Sequence, residues 1–330
     1  MSFRKIYLNL LWLTALLCSA SCTKEIEMDF PQEPDQLVIY SLFHPDSVWQ
    51  VSVSTTKDLN TPFAPYDVVN EAVVEIYQGQ QLVDQLEFQG YLDPTRVQDN
   101  VRGITYDTVF WRNEHIYRSE EGFKPEAGVA YTVVVSAPGY NSVTATDQIP
   151  RLPLIEVEEV GTPTDRNWPG INPNDEYITT TAVVHDVDGE NNYYLTGASY
   201  MLPRYQYEDG VVYDTLYRHQ YLETATFEIR SISLYPYELF SDQSFYGISY
   251  PVLIGVRLDQ GFTFNEVNRL SLHTGIVSEA FYKYYKSAER QKLYGVDLVN
   301  LTDPPIIYSN VEGVLGIFAG YNTIDFDVHL

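Results

Sequence analysis

Period-two alternation of apolar and polar residues begins at position 37 and runs through most of the chain. It is clear over 37–43 (Leu-Val-Ile-Tyr-Ser-Leu-Phe), 49–54 and 72–77. Side chains that alternate between two faces mark a strand with one buried face. Gln78-Gly79 ahead of 80–88 reads as a hairpin turn, and 131–136, the turn Ala137-Pro138-Gly139-Tyr140 and 141–146 read as a second hairpin. The stretch 90–102 between them is polar and reads as a loop. About six strands over 36–150, with no helical period, predict an immunoglobulin-like sandwich.

Ile149-Pro150-Arg151-Leu152-Pro153 interrupts the pattern, because proline cannot donate to a ladder and favours extended connections. A domain boundary is therefore expected at 150. Strands resume at 154–160, 177–187, 192–202, 226–234, 252–259, 267–274, 305–310 and 316–326, with a Pro-, Asn- and Asp-rich loop at 161–176. Asp209-Gly210 between 204–207 and 211–218 is a strong hairpin signal. One helix is predicted over about 278–292. Ser278 caps it, Phe281, Tyr284, Tyr285 and Ala288 form one stripe, and Lys283, Lys286, Glu289, Arg290 and Lys292 fall on the other faces. The expected fold class is mostly β. It has two antiparallel sandwich-like domains, 36–150 and 151–330, and the second carries the amphipathic helix on a sheet.

The first 21 residues have a different character. Arg4 and Lys5 precede an apolar run, 6–17, which is followed by Ser19-Ala20-Ser21 and Cys22. A charged start, an apolar middle and small residues before a cut are the parts of a signal peptide. The run is shorter than the roughly 20 residues a membrane span needs. A cysteine directly behind the small residues can receive a diacylglycerol group, so Cys22 is the expected lipid-attachment site and 22–35 an acidic, proline-bearing tether. Cys18 lies in the discarded segment, so the mature chain keeps no thiol but the lipidated one. That excludes internal disulfides and metal or redox sites built on cysteine pairs.

Charge and motifs narrow the function classes. Twenty basic against 45 acidic residues leave a net charge of -25, a field that repels phosphate backbones, so nucleic acid is excluded as a partner. Most of the 28 tyrosines suit half-buried strands, and a minority suit a recognition surface. The six histidines (44, 115, 185, 219, 273, 329) lack metal-ligand spacing, and no GxSxG occurs. Ser54-Thr55-Thr56-Lys57 matches SxxK by letter, but a serine ending a strand does not share a helix face with the lysine. Gly313, Gly316 and Gly320 fit turns and close strand packing rather than a phosphate loop. Asp186-Val187-Asp188-Gly189-Glu190-Asn191-Asn192 is a partial calcium loop that lacks a third oxygen residue before the glycine and a closing glutamate; an acidic turn between strands is the ordinary alternative. No catalytic residue, cofactor site or metal site is assigned.

The opening Leu37-Val38-Ile39-Tyr40-Ser41-Leu42, the strand Val51-Ser52-Val53-Ser54, Asn191-Asn192-Tyr193-Tyr194, Phe240-Ser241-Asp242, the helix and the terminal run 309–318 together resemble one family. It is the group of Bacteroidota lipoproteins called domain of unknown function 4249. Its terminal pattern, Ser-Asn-Ile/Val, a spacer and Gly-Ile-Phe, is met by Ser309-Asn310-Val311 and Gly316-Ile317-Phe318. The resemblance implies an outer-membrane location and association with TonB-dependent transporters, and it transfers no catalytic residues. Lys24-Glu25-Ile26-Glu27 is similar to the signal that sends such lipoproteins to the cell surface, and the triplets at Asp46, Asp107 and Asp214 are similar to an O-glycosylation sequon of that phylum. The expected function is a non-enzymatic binding or accessory subunit of a TonB-dependent transporter; the alternatives are an extracellular hydrolase on glycans or peptides and a structural or adhesive envelope protein.

Overall fold

The structure, a computed structural model, describes residues 34–56, 69–101, 104–120, 122–161, 177–187, 189–208, 211–222, 224–226, 237–257, 269–294 and 306–328. Cys22, the segment before it, the tether up to position 33, Lys57, Asp188, Asp209-Gly210 and His329 lie outside these residues, as do 162–176 and 227–234. Asp35–Thr56 and Pro65–Leu330 belong to one compact unit.

The described chain is mostly β with one helix. In order the strands are β1 (Leu37–Phe43), β2 (Gln50–Thr55), β3 (Val73–Gln78), β4 (Gln81–Val101), β5 (Ile104–Arg118), β6 (Ala130–Ser136), β7 (Val143–Gln148) and β8 (Ile155–Gly161). Next come β9 (Tyr177–His185), β10 (Tyr193–Glu208), β11 (Val211–Leu222), β12 (Thr224–Thr226), β13 (Tyr237–Ser241), β14 (Ser249–Arg257) and β15 (Arg269–Val277). Helix α1 (Glu279–Tyr294) and β16 (Leu315–Val328) close the chain. Twelve strands form one sheet in the order β11-β10-β15-β16-β1-β2-β5-β4-β3-β6-β7, with β13 also on β10; β12-β14-β9-β8 form a second.

Two features of the pairing depart from expectation. The large sheet is mixed, because β16 runs parallel to β1, Val38 opposite Leu315 and Phe43 opposite Gly320. Strands from both sides of position 150 therefore share this sheet, and the connection itself is packed: Ile149 is fully buried and Asn322 Nδ2 donates to the Pro150 carbonyl at 3.1 Å. The polar stretch expected as a loop over 90–102 is strand as far as it is described, since β4 continues to Val101 and pairs with β5 from Glu87–Arg118 to Val101–Ile104. A neighbouring strand satisfies backbone groups whatever the side chains are, so polarity alone misreads such a hairpin. Residues 306–310, expected as strand, have no regular structure. Their partners are side chains, with Tyr308 N–H on Ser287 Oγ at 2.8 Å.

The cores follow from the alternation. Because β4 pairs with β3 up to Leu86 and with β5 beyond it, the sheet turns over on itself. Leu37, Ile39, Phe43, Val51 and Val53 then meet Val74, Ile76, Tyr131, Val133 and Val135 in a sandwich core around the fully buried Trp49. The opposite face of β1 and β16 takes α1: Ile317, Ala319, Leu195 and Val277 pack under Ala280 and Phe281. Ser278 caps this helix, its Oγ accepting Phe281 N–H at 3.2 Å. The predicted stripe lies on the sheet, with Phe281 buried, Phe281 and Tyr285 stacked at 4.6 Å, and Tyr284 edge-on to Tyr40 at 6.2 Å. A third core joins the small sheet to the large one through Ala182, Val184, Val252, Tyr194 and Ile276.

Candidate functional site

A cleft of about 820 Å³ opens between the β6–β7 edge, the β9–β10 turn and the start of α1. Glycines set two of its walls. Gly128, at φ +80°, leaves room for the Arg151 side chain, which passes 2.6 Å from where a Cβ would stand. Gly320 lies so close to β7 that a Cβ would sit 2.4 Å from the Gln148 carbonyl oxygen. That approach brings Gly320 N–H to Asp147 Oδ2 at 3.0 Å.

Two carboxyls in the lining have opposed environments. Burial pushes the Asp147 carboxyl above its ordinary range, against the Ser278 hydroxyl and the Gly320 and Gln148 N–H groups that favour its charge; Glu279 nearby adds to the upward push. Glu279 is held below its ordinary value by Lys283, whose Nζ lies 2.9 Å from Oε1, and Tyr193 OH donates to the same oxygen at 3.2 Å. Arg151 and Glu190 complete the charged lining. The cleft thus presents fixed hydrogen-bond acceptors and one guanidinium.

The acidic turn expected as a calcium candidate borders this cleft, and protein donors occupy its first residue. Asp186 Oδ1 accepts from Asn192 Nδ2 at 3.1 Å and from the Tyr194 hydroxyl, while Oδ2 accepts Gly247 N–H at 2.7 Å. Burial and the hydrogen bond to Asp186 keep the Tyr194 hydroxyl protonated far above its usual range. Asn192 N–H donates to Asp242 Oδ2 at 2.7 Å, and Asp242 N–H returns a bond to Asn192 O at 3.1 Å. Among the described residues, no group of three or more His, Cys, Asp or Glu could hold a metal ion. This network ties the β9–β10 turn to the turn before β14.

Sequence reading missed a cross-strand ladder on the outer face of the small sheet. His185 Nδ1 lies 2.8 Å from Ser249 Oγ and Nε2 lies 3.2 Å from Glu156 Oε2. The residue types are those of a nucleophile, base and orienting acid, but the adjoining donors are committed: Gly247 N–H to Asp186 and Ile248 N–H to Phe245 O at 3.0 Å. Oxyanion stabilisation needs such donors free. Similar pairs occupy two other histidines, His273 Nδ1 with Asp325 Oδ1 at 2.6 Å and His44 Nε2 accepting Thr323 N–H at 3.2 Å. His115, Asp107, His219 and Asp214 lie in the two long hairpins, on β5 and β11. Ser54 lies in β2, as expected.

The terminal motif is part of the core. Phe318 is fully buried, stacked on Trp49 at 5.8 Å and packed on Phe43 at 4.5 Å. Gly316 has φ +146°, and a Cβ there would stand 2.2 Å from the Ile39 carbonyl oxygen. The family model described as domain of unknown function (DUF4249) matches residues 23–325. The chain belongs to this family. The DUF4249 match takes in the cleft, the helix and the terminal motif, and it begins one residue after Cys22. No curated protein matches the chain.

Proposed function

We propose that the mature protein is an outer-membrane lipoprotein, anchored through acyl chains on Cys22 and facing the cell surface, that serves as a non-enzymatic binding subunit of a TonB-dependent transporter. The cleft carries the binding part of this reading. Its volume of about 820 Å³ suits a peptide or sugar segment, and Asp147 and Glu279 are positioned by protein donors before any ligand arrives. Acidic lining on a chain of net charge -25 favours a partner with basic groups. The charged start, the apolar run 6–17 and Ser19-Ala20-Ser21 ahead of Cys22 support the anchor. Each buried lipid CH₂ contributes ~0.8 kcal/mol, so two acyl chains hold a protein stably where one binds marginally.

Gentle solubilisation of outer membranes with the lipid intact should co-purify a TonB-dependent barrel protein, and Glu190→Lys should lower its recovery. Repeated recovery of the lipoprotein alone overturns the reading. Cys22→Ala should leave precursor or soluble material. A mutant retained in the outer membrane at the wild-type level, with no lipid mass on the native protein, overturns the anchor.

One observation favours a second reading, a hydrolase acting on extracellular glycans. Asp147 is pushed up and Glu279 down within one cleft, and glycoside hydrolysis needs one protonated and one ionised carboxyl. Turnover of chromogenic glycosides that is lost in both Asp147→Asn and Glu279→Gln would replace the binding reading.

A further inference from the structure

We infer that the face made by α1, the start of β1 and the start of β16 lies against the lipid surface that holds the acyl chains; this rests on lipidation of Cys22. Fourteen residues, 23–36, separate Cys22 from Leu37. A fully extended chain of that length spans at most about 50 Å, so the anchor keeps the entry point of β1 near the membrane. At that entry point Val38 pairs with Leu315, and the two share the helix-side face of the sheet with Tyr40 and Ile317.

Exposed apolar side chains and cationic residues come together there. Tyr40 is 41% exposed, Leu315 50% and Ile306 88%, all large apolar side chains left in water. Tyr40 OH meets Tyr285 OH at 3.3 Å, and Lys283 Nζ sits 5.6 Å from the Tyr308 ring centre. Tyrosines with a buried ring and a wet hydroxyl settle at the headgroup level of a bilayer, and lysine and arginine stems lie along apolar surface with their charges raised to water. Helix α1 supplies those charges. It carries Lys283, Lys286, Arg290 and Lys292 against Glu279 and Glu289; Lys283 pairs with Glu279 at 2.9 Å and the half-buried Lys286 with the buried Glu289 at 3.2 Å, and the sum is a local positive excess in a chain of net charge -25. The remaining acidic surface is repelled by anionic headgroups, so the charge distribution turns this face toward the bilayer.

The test uses the full lipidated chain in vesicles of phosphatidylethanolamine and phosphatidylglycerol doped with a photoreactive phospholipid, with labelled peptides mapped by mass spectrometry. Leu154 and Ile248, 61% and 57% exposed but outside this face, are the internal controls. Labelling of 306–315 and of α1 is expected to exceed labelling of the control peptides about tenfold, and Ile306→Asp with Leu315→Asp should remove the excess while the Cys22 peptide stays labelled. Equal labelling of face and controls, with the protein still vesicle-bound, overturns the docking face and leaves the anchor standing. Protein-to-protein cross-links at 306–315 in place of lipid adducts assign the face to a second copy and also overturn it. Protein that stays in solution overturns the anchor, and the docking face with it.

Discussion

Asn310 stands in for a strand beside Phe318: its Oδ1 accepts Phe318 N–H at 3.0 Å and its Nδ2 donates to the Phe318 carbonyl at 2.7 Å. On this edge of β16 the neighbouring strand β15 reaches only to Tyr321, opposite Val277. Backbone groups beyond that point need other partners. Asn310 serves Phe318, while at Gly320 the N–H goes to Asp147 and the carbonyl accepts Ser278 N–H at 2.9 Å. A family motif that reads as letters in the sequence is thus the device that finishes a sheet edge over the Trp49 core.

Loss of that device should be felt in stability. Asn310→Ala removes a donor and an acceptor from partly buried backbone groups, for an expected loss of about 2 kcal/mol in urea unfolding. Asn310→Asp should cost at least as much, because it keeps an acceptor for Phe318 N–H and sets a second oxygen against the carbonyl. A midpoint unchanged in both variants would refute the role.

Gly316→Ala should be worse. At φ +146° an L side chain is strained, and the new Cβ would meet the Ile39 carbonyl backbone at 2.2 Å, where β1 and β16 pair. The expected loss is about 4 kcal/mol or more, read as failure to accumulate folded protein or a large drop in Tm.

Asp186→Ala should destabilise by about 3 kcal/mol, since it leaves the Tyr194 hydroxyl and Gly247 N–H without their acceptor. A structural hydrogen-bond role also predicts that calcium or a chelator leaves the Tm of the wild type unchanged. A calcium-dependent rise that Asp186→Ala abolishes would assign the turn to metal binding instead.

Burial lowers the His44 pKa below 6.5, against the opposing pull of Asp46 and Asp325. The unfolded chain therefore takes up the proton first as pH falls. Stability from this residue is complete above pH 6.5 and is lost as pH drops through the folded value, by at most about 1.4 kcal/mol per pH unit. Urea midpoints of wild type and His44→Gln, in which the amide can still accept Thr323 N–H, should diverge at neutral pH and converge as pH falls below 6.5. Parallel curves would contradict this.

Local pattern made much of the fold legible. The turns at Gly79 and Gly139, with φ +61° and +86°, stand where the hairpins were expected, and α1 starts behind its Ser278 cap with Phe281 buried. The 90–101 hairpin arm escaped because a run of mostly polar residues carries no apolar–polar alternation to read. The candidate site was only half legible. The Asp186 turn and the nearby Tyr194 could be picked out by composition, whereas the donor Gly247 comes from 61 positions away in the chain.

By itself the sequence determined what depends on near neighbours: strand faces, the two tight turns, and the helix cap and stripe. Folding decided what depends on distant partners. Asp147 and Gly320 stand 173 positions apart, and Ser249, His185 and Glu156 are spaced 64 and 29 positions from one another. The parallel union of β1 with β16 likewise joins the two ends of the described chain. Period and propensity act over a few residues, but a cleft, a ladder or a completed sheet edge exists only once separate strands meet, and nothing local specifies which strands those are.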